Sequence, residues 1–288
     1  GSVQGLAAFR EQTRSQLGAE TAVVEESAEV QGQMRLYRRV ARYEKFGGPI
    51  ETVFGFDAED RISTFFVRPV ATEAASEHLD YLTQAELRLP FEGEWYVFWG
   101  GRSVKQNYHA ATKDQRFAYD IVVMREGSTH VGDGKRNEDY HCFGQPILAP
   151  AAGTVVAAIG DLPDNVPGQF DRQHPAGNHV VLDLGNGEYA LFAHFRQGSL
   201  KVGPGDKVEA GAPLAECGNS GNSSEPHLHF HLQEGPELFS AVGLPAQFQR
   251  YLADGAPVER GEPVKGQTIA PQPKTAPPAA GASPDAAR

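Results

Sequence analysis

The chain has 288 residues, 40% hydrophobic and 22% charged, a balance that describes a soluble globular protein long enough for one or two domains with real cores. Its net charge of -11 excludes nucleic acid as the main partner, because phosphate binding is driven by clustered Lys and Arg and no basic stripe overrides the sum. The most apolar run, LAPAAGTVVAAIG at 148–160, is too short for a membrane span and is broken by Pro150 and Gly153.

The chain opens GSVQGL, with no initiator Met and no apolar h-region, and reads as the scar of a removed segment. A removed signal peptide would place the protein outside the cytoplasm. Residues 3–20 (VQGLAAFREQTRSQLGAE) are helical in pattern and polar on one face. From 26 to 70 the texture turns strand-like, in VQGQMRLYRRVARYEKF, ETVFGFD and RISTFFVRP. A helix followed by a strand meander makes a small α+β domain at 1–80, which resembles part of the NTF2-like cone fold.

From about 90 to 235 the chain is β-rich with Gly, Pro and Asn punctuation: EWYVFWGG, FAYDIVV, GTVVAAI, NHVVLDL, EYALFAHF, APLAEC and HLHFHL. The junction VLDLGNGEYALF predicts a hairpin, since Asn-Gly accepts the positive φ angles of a tight two-residue turn. Cys142 and Cys217 form no CxxC pair, and both a disulfide and two buried thiols are compatible with their spacing. After about residue 254 the Pro/Ala-rich composition is that of a disordered tail, 254–288.

Residues 226–232, PHLHFHL, place His227, His229 and His231 at every second position. A strand would turn these imidazoles to one face and Leu228, Phe230 and Leu232 to a core on the other. Three imidazoles in register beside a Gly/Asn/Ser loop suit a metal or catalytic site better than the polar face of an ordinary strand. A catalytic zinc takes three protein ligands and keeps an open position, so the remaining histidines become candidates to converge on this strand.

The text from APAAGTVV through GNHVVLDLGNGEYALFAHF and VGPGDKVEAGAPLAECGNSGNSSEPHLHF resembles the M23, or LytM/lysostaphin-type, zinc metallopeptidases that cut peptidoglycan cross-bridges. The resemblance covers roughly residues 100–233. It implies a fold of α+β class, with a β-rich, antiparallel peptidase domain at 81–253 after the small N-terminal domain. It also implies that His229 is a metal ligand and that His227 and His194 are catalytic.

The family's upstream His-Asp ligand motif is H-x-x-x-D, and its literal match here is His179 to Asp183 in HVVLD. Those residues would lie about 13 Å apart along a strand, too far for two bonds of about 2 Å to one ion. His109 with Asp120 is the alternative. Asp120 opens the apolar DIVV, as the family's ligand Asp does, and a longer loop between ligands is harmless because a metal constrains side-chain ends.

Zn2+ at His109, Asp120 and His229 would activate a water for attack on a peptide bond, with His194 and His227 as proton carrier and oxyanion support in either order. The substrate implied is a stem or cross-bridge peptide of peptidoglycan, and the location periplasmic or secreted. His231, about 6.6 Å along the strand from His229, is expected behind or beside the ligands rather than among them. His130, His141, His174 and His179 read as surface or packing residues, while Asn107, Tyr108, Arg116 and Asn178 are candidates to line a groove.

Three other readings compete. A cupin fits the G-x5-H-x-H-x4-E spacing from Gly221 to Glu234 but lacks the required downstream His. A lipoyl or biotinyl carrier fits APAAGTVV and VGPGDKVEAGAPL but lacks the modified Lys. The alternative from within the family is an inactive domain that binds wall peptides or activates another hydrolase; retention of a candidate at every site position speaks against it.

Overall fold

The computed structural model describes residues 3–31 and 34–273. The chain divides into two units, Gly1–Thr72 and Glu73–Arg288. The first contains helix α1 (Val3–Leu17) and a four-stranded antiparallel meander: β1 (Glu20–Gln31), β2 (Met34–Tyr43), β3 (Pro49–Phe56) and β4 (Ile62–Pro69). Phe9 of α1 meets Phe65 edge-on, and Phe65 in turn packs on Phe54. Val40, Ala41, Ile50 and Val53 are buried in the sheet.

β1 corrects the expected strand start at 26. Its sequence ETAVVEESAEVQ is rich in glutamate, a weak strand former, yet it pairs with the arginine-rich β2. Arg38 reaches Glu25, and Arg39 grips Glu20 and Glu26, so charge pairing across the ladder accompanies this hairpin.

The second unit holds β5 (Trp95–Trp99), β6 (Tyr119–Val122), β7 (Pro146–Leu148), β8 (Gly153–Ile159), β9 (Asn178–Asp183) and β10 (Tyr189–Phe195). These are followed by β11 (Lys207–Val208), β12 (Pro213–Glu216), β13 (Leu228–Gln233), β14 (Gly243–Leu244), β15 (Phe248–Ala253), β16 (Ala256–Gly261) and β17 (Thr268–Pro271). Its main sheet is antiparallel, in the order β11-β8-β9-β10-β13-β6-β5-β17-β15-β16, with β14 beside β13. β7 and β12 form a separate pair. Leu228, Phe230 and Leu232 of β13 are fully buried against Phe192, Phe248 and their neighbours.

Two expected boundaries move. Residues 73–80, assigned above to the N-terminal domain, belong to the second unit, where Ala74 N–H donates to the Ala110 carbonyl. Just beyond them, the buried Glu188 carboxylate accepts from the Tyr81 hydroxyl and from the Gln84 and Ala85 amides. The tail does not begin at 254: β16 and β17 are ladder strands, Ile269 is fully buried, and β17 sits between β5 and β15. Residues 274–288 lie outside the described residues.

The predicted β9–β10 hairpin forms, but through a longer loop than the expected two residues. Asp183 pairs with Tyr189, and Gly185, Asn186 and Gly187 all take positive φ. Both cysteines are buried free thiols, and Cys142 Sγ–H donates to the Pro226 carbonyl at 2.9 Å.

Candidate active site

β13 lies between β10 and β6, and this order assembles the site. Register sets His229 opposite Asp120 on one side and opposite Ala193 on the other. Directly opposed residues of an antiparallel pair stand about 5 Å apart at Cβ, so a carboxylate and an imidazole meet without any loop to guide them. His229 Nδ1 is 2.8 Å from Asp120 Oδ1.

His109 arrives differently. It sits in the 3-10 turn Tyr108–Ala111, whose N-cap Asn107 accepts the His109 amide through Oδ1. The Asn107 amide then donates to the carbonyls of Gly101 and, at 2.8 Å, Ala118. Ala118 adjoins β6, so one fully buried side chain docks the turn onto the strand that carries Asp120. His109 Nε2 lies 3.0 Å from Asp120 Oδ2.

The ligand-capable atoms of His109, Asp120 and His229 all fall within 4.8 Å of one another, and all three residues are buried. Burial opposes ionisation of Asp120, but the imidazoles around it, His109 first, outweigh it and hold the carboxyl well below the usual carboxylate range. Two imidazole nitrogens and one carboxylate suit a zinc ion. His179 and Asp183, the literal H-x-x-x-D pair, do not belong to this cluster; His179 Nδ1 is instead 2.7 Å from the Gly177 carbonyl.

Two further imidazoles face the cluster. β10 breaks register with β9 between Phe192 and Phe195, and at this irregularity His194 takes φ +66°. A left-handed histidine carries strain of order 1 kcal/mol, sustained by its surroundings. His194 Nδ1–H donates to the Ser220 carbonyl at 2.8 Å. His227 Nδ1–H donates to the Glu225 carbonyl at 2.9 Å, with Ser223 Oγ at 3.2 Å. Donation from Nδ1 fixes each ring's orientation and turns its Nε2 towards the cluster; His227 Nε2 stands 3.6 Å from Asp120 Oδ1. Ring centroids of His194 and His227 are 4.8 Å apart. Burial, then the other imidazoles, hold His194 well below the ordinary histidine range, which makes it neutral.

The loop that receives these rings, 218–226, is bound by side-chain hydrogen bonds. Asn219 accepts from Ser223 Oγ and donates to Asn137, while Asn165 donates to the Gly221 and Ser223 carbonyls. Gly177 (φ +58°) lets the loop close on β9, because a Cβ there would stand 2.5 Å from the Ser220 carbonyl group.

His231 is buried beside His229 and lines the same cleft, its Nδ1 3.0 Å from His229 Nε2. Burial, then the neighbouring His229, push it down to about 3, so it is neutral. Of the four groove candidates, only Tyr108 lines the cleft. Asn107 is the cap just described, Asn178 braces Leu162 and Phe195, and Arg116 donates to the Arg102 carbonyl. Gln115, Asn222, Leu238 and Phe239 also line the cleft and carried no motif that would have flagged them.

A buried His-Asp-His cluster able to hold a metal ion thus faces two further imidazoles on an antiparallel sheet. Residues 136–240 match the sequence model of peptidase family M23. The match takes in His194, His227, His229 and His231; His109 and Asp120 lie before it. Among curated relatives, peptidoglycan DD-endopeptidase ShyA of Vibrio cholerae is 32% identical over 91 residues, covering 31% of this chain and 18% of the relative. An uncharacterized metalloprotease of Haemophilus influenzae is 33% identical over 87 residues, 30% of this chain and 16% of its own length. The matches thus span less than a fifth of each curated relative. Among solved structures, the catalytic domain of lysostaphin from Staphylococcus simulans is 27% identical, covering 37% of this chain and 77% of that one, with a TM-score of 0.27.

Proposed function

We propose that the chain is a zinc-dependent endopeptidase that hydrolyses peptide cross-links of bacterial peptidoglycan, in the periplasm or outside the cell. The observation that carries this reading is the convergence of His109, Asp120 and His229 opposite His194 and His227. The similarity to a peptidoglycan DD-endopeptidase supports the substrate class.

Zinc at this cluster would supply Lewis acidity, polarising a peptide carbonyl and acidifying a water. The chain supplies the rest. His194 and His227, anchored through Nδ1–H on the carbonyls of Ser220 and Glu225, turn their Nε2 atoms to the cleft. Through Nε2 a neutral ring accepts a proton and, once protonated, donates it to a leaving amine or an oxyanion. Asp120 stays ionised, so its negative charge offsets part of the ion's. Tyr108 and Phe239 at the rim hold the peptide against the ring pair.

The test is mass spectrometry of muropeptides released from sacculi by the wild type and by His227→Ala, with zinc content measured on both. A cut by the wild type alone, at one zinc per chain, supports the reading. An unaltered digest with stoichiometric zinc would assign the domain to wall-peptide binding, and absence of zinc would remove the reading altogether.

A further inference from the structure

The polar side of β13 extends beyond the residues used above. Gln233 Nε2–H donates to the Gly235 carbonyl at 2.6 Å, a backbone acceptor whose role cannot reverse. The amide is thereby oriented, and its Oε1 points back to His231 Nε2 at 2.8 Å. An acceptor there requires His231 to carry its proton on Nε2. In an uncharged ring this leaves Nδ1 bare, facing His229 Nε2 at 3.0 Å, so His229 must donate from Nε2. In an uncharged His229, Nδ1 is then a lone pair pointing at Asp120 Oδ1, also an acceptor, 2.8 Å away. Two acceptors at that distance repel unless a cation joins them.

We propose that His231, oriented by Gln233, is a positioning residue that fixes His229 in the Nε2–H form and so keeps Nδ1 bare and aimed at the metal position. The inference rests on His229 being a metal ligand. His231 is not among the clustered ligand atoms of His109, Asp120 and His229, and in this reading it acts through His229. Its burial is consistent with this, since it is 4% exposed and its two ring nitrogens are both engaged within the strand. A partner of this kind typically changes metal affinity 10- to 100-fold.

The full chain is titrated with zinc against a chelating dye, as wild type, His231→Phe and His231→Asn. Phe keeps the ring's bulk without an acceptor; the Asn oxygen stands near the position of Nδ1 and restores one. The expected outcome is zinc binding weakened about 10- to 100-fold in His231→Phe and within about threefold of wild type in His231→Asn. Equal affinity of His231→Phe and wild type would overturn the proposal. Should the Phe variant not fold, nitrogen-15 NMR of the wild type decides. A proton on His229 Nε2 with a coupling across to His231 Nδ1 supports the relay, and a proton on Nδ1 overturns it. The spectrum is recorded without metal as well, so the relay is judged separately from the ligand reading, which fails if His109→Ala binds zinc as tightly as wild type.

Discussion

Asp120 on β6 and His229 on β13 stand directly opposite in the sheet, carboxylate oxygen 2.8 Å from ring nitrogen. The heart of the site is therefore a cross-strand pair, positioned by the same ladder that holds the core. Asp120→Asn should leave that ladder in place while removing the anion proposed to hold the metal. We expect zinc affinity to fall by more than about a hundredfold, beyond what loss of a supporting partner costs. Equilibrium dialysis with metal analysis checks this, and the ellipticity of the sheet should be unchanged.

Stability of the metal-free protein should decline on acidification before any carboxylate titrates. His194, His229 and His231 are all pushed below their unfolded value by burial. The unfolded chain thus binds more protons than the native one as pH falls through about 6.5, and stability is lost in that direction. Each such histidine contributes at most about 1.4 kcal/mol per pH unit in that window. Urea unfolding at about pH 7.5 and 5.5 measures the slope, and a flat profile would count against neutral burial of these rings.

Asn107→Ala should cost both stability and metal. It removes the N-cap of the turn carrying His109 and leaves the Ala118 carbonyl without its side-chain donor. A loss of about 1–3 kcal/mol is expected. Because His109 would no longer be held to β6, zinc affinity should fall too, which a purely local cap loss elsewhere would not produce. Denaturant melts and zinc competition on the same sample separate the two effects.

Truncation after residue 253 removes β16 and β17, which pair with β15 and β5, and with them the fully buried Ile269. The shortened protein should be insoluble or melt more than about 10 °C lower. A melting point equal to the full chain's would show that these strands contribute nothing to the second unit.

The strands of the second unit are legible where β-branched and aromatic residues alternate, as in NHVVLD, YALFAHF and LHFHLQ. β1 is not, because four glutamates mask a strand that gains cross-strand arginine partners only once β2 is beside it. β16 and β17 are short and lie near proline and glycine, so the composition of 254–288 hid them. His194, His227 and His229 stand in the motif text itself. Asn107 and His231 show where that legibility stops: a neighbour of a ligand can be a cap, and a shared strand face does not reveal how a ring is turned.

The site draws on segments far apart in the chain, with Asp120 and His229 separated by 109 positions. No nascent chain can complete the cluster before residue 229 is available and β13 has inserted between β6 and β10. Metal capture would then be among the last acts of maturation, and its rate a clock for closure of the central sheet.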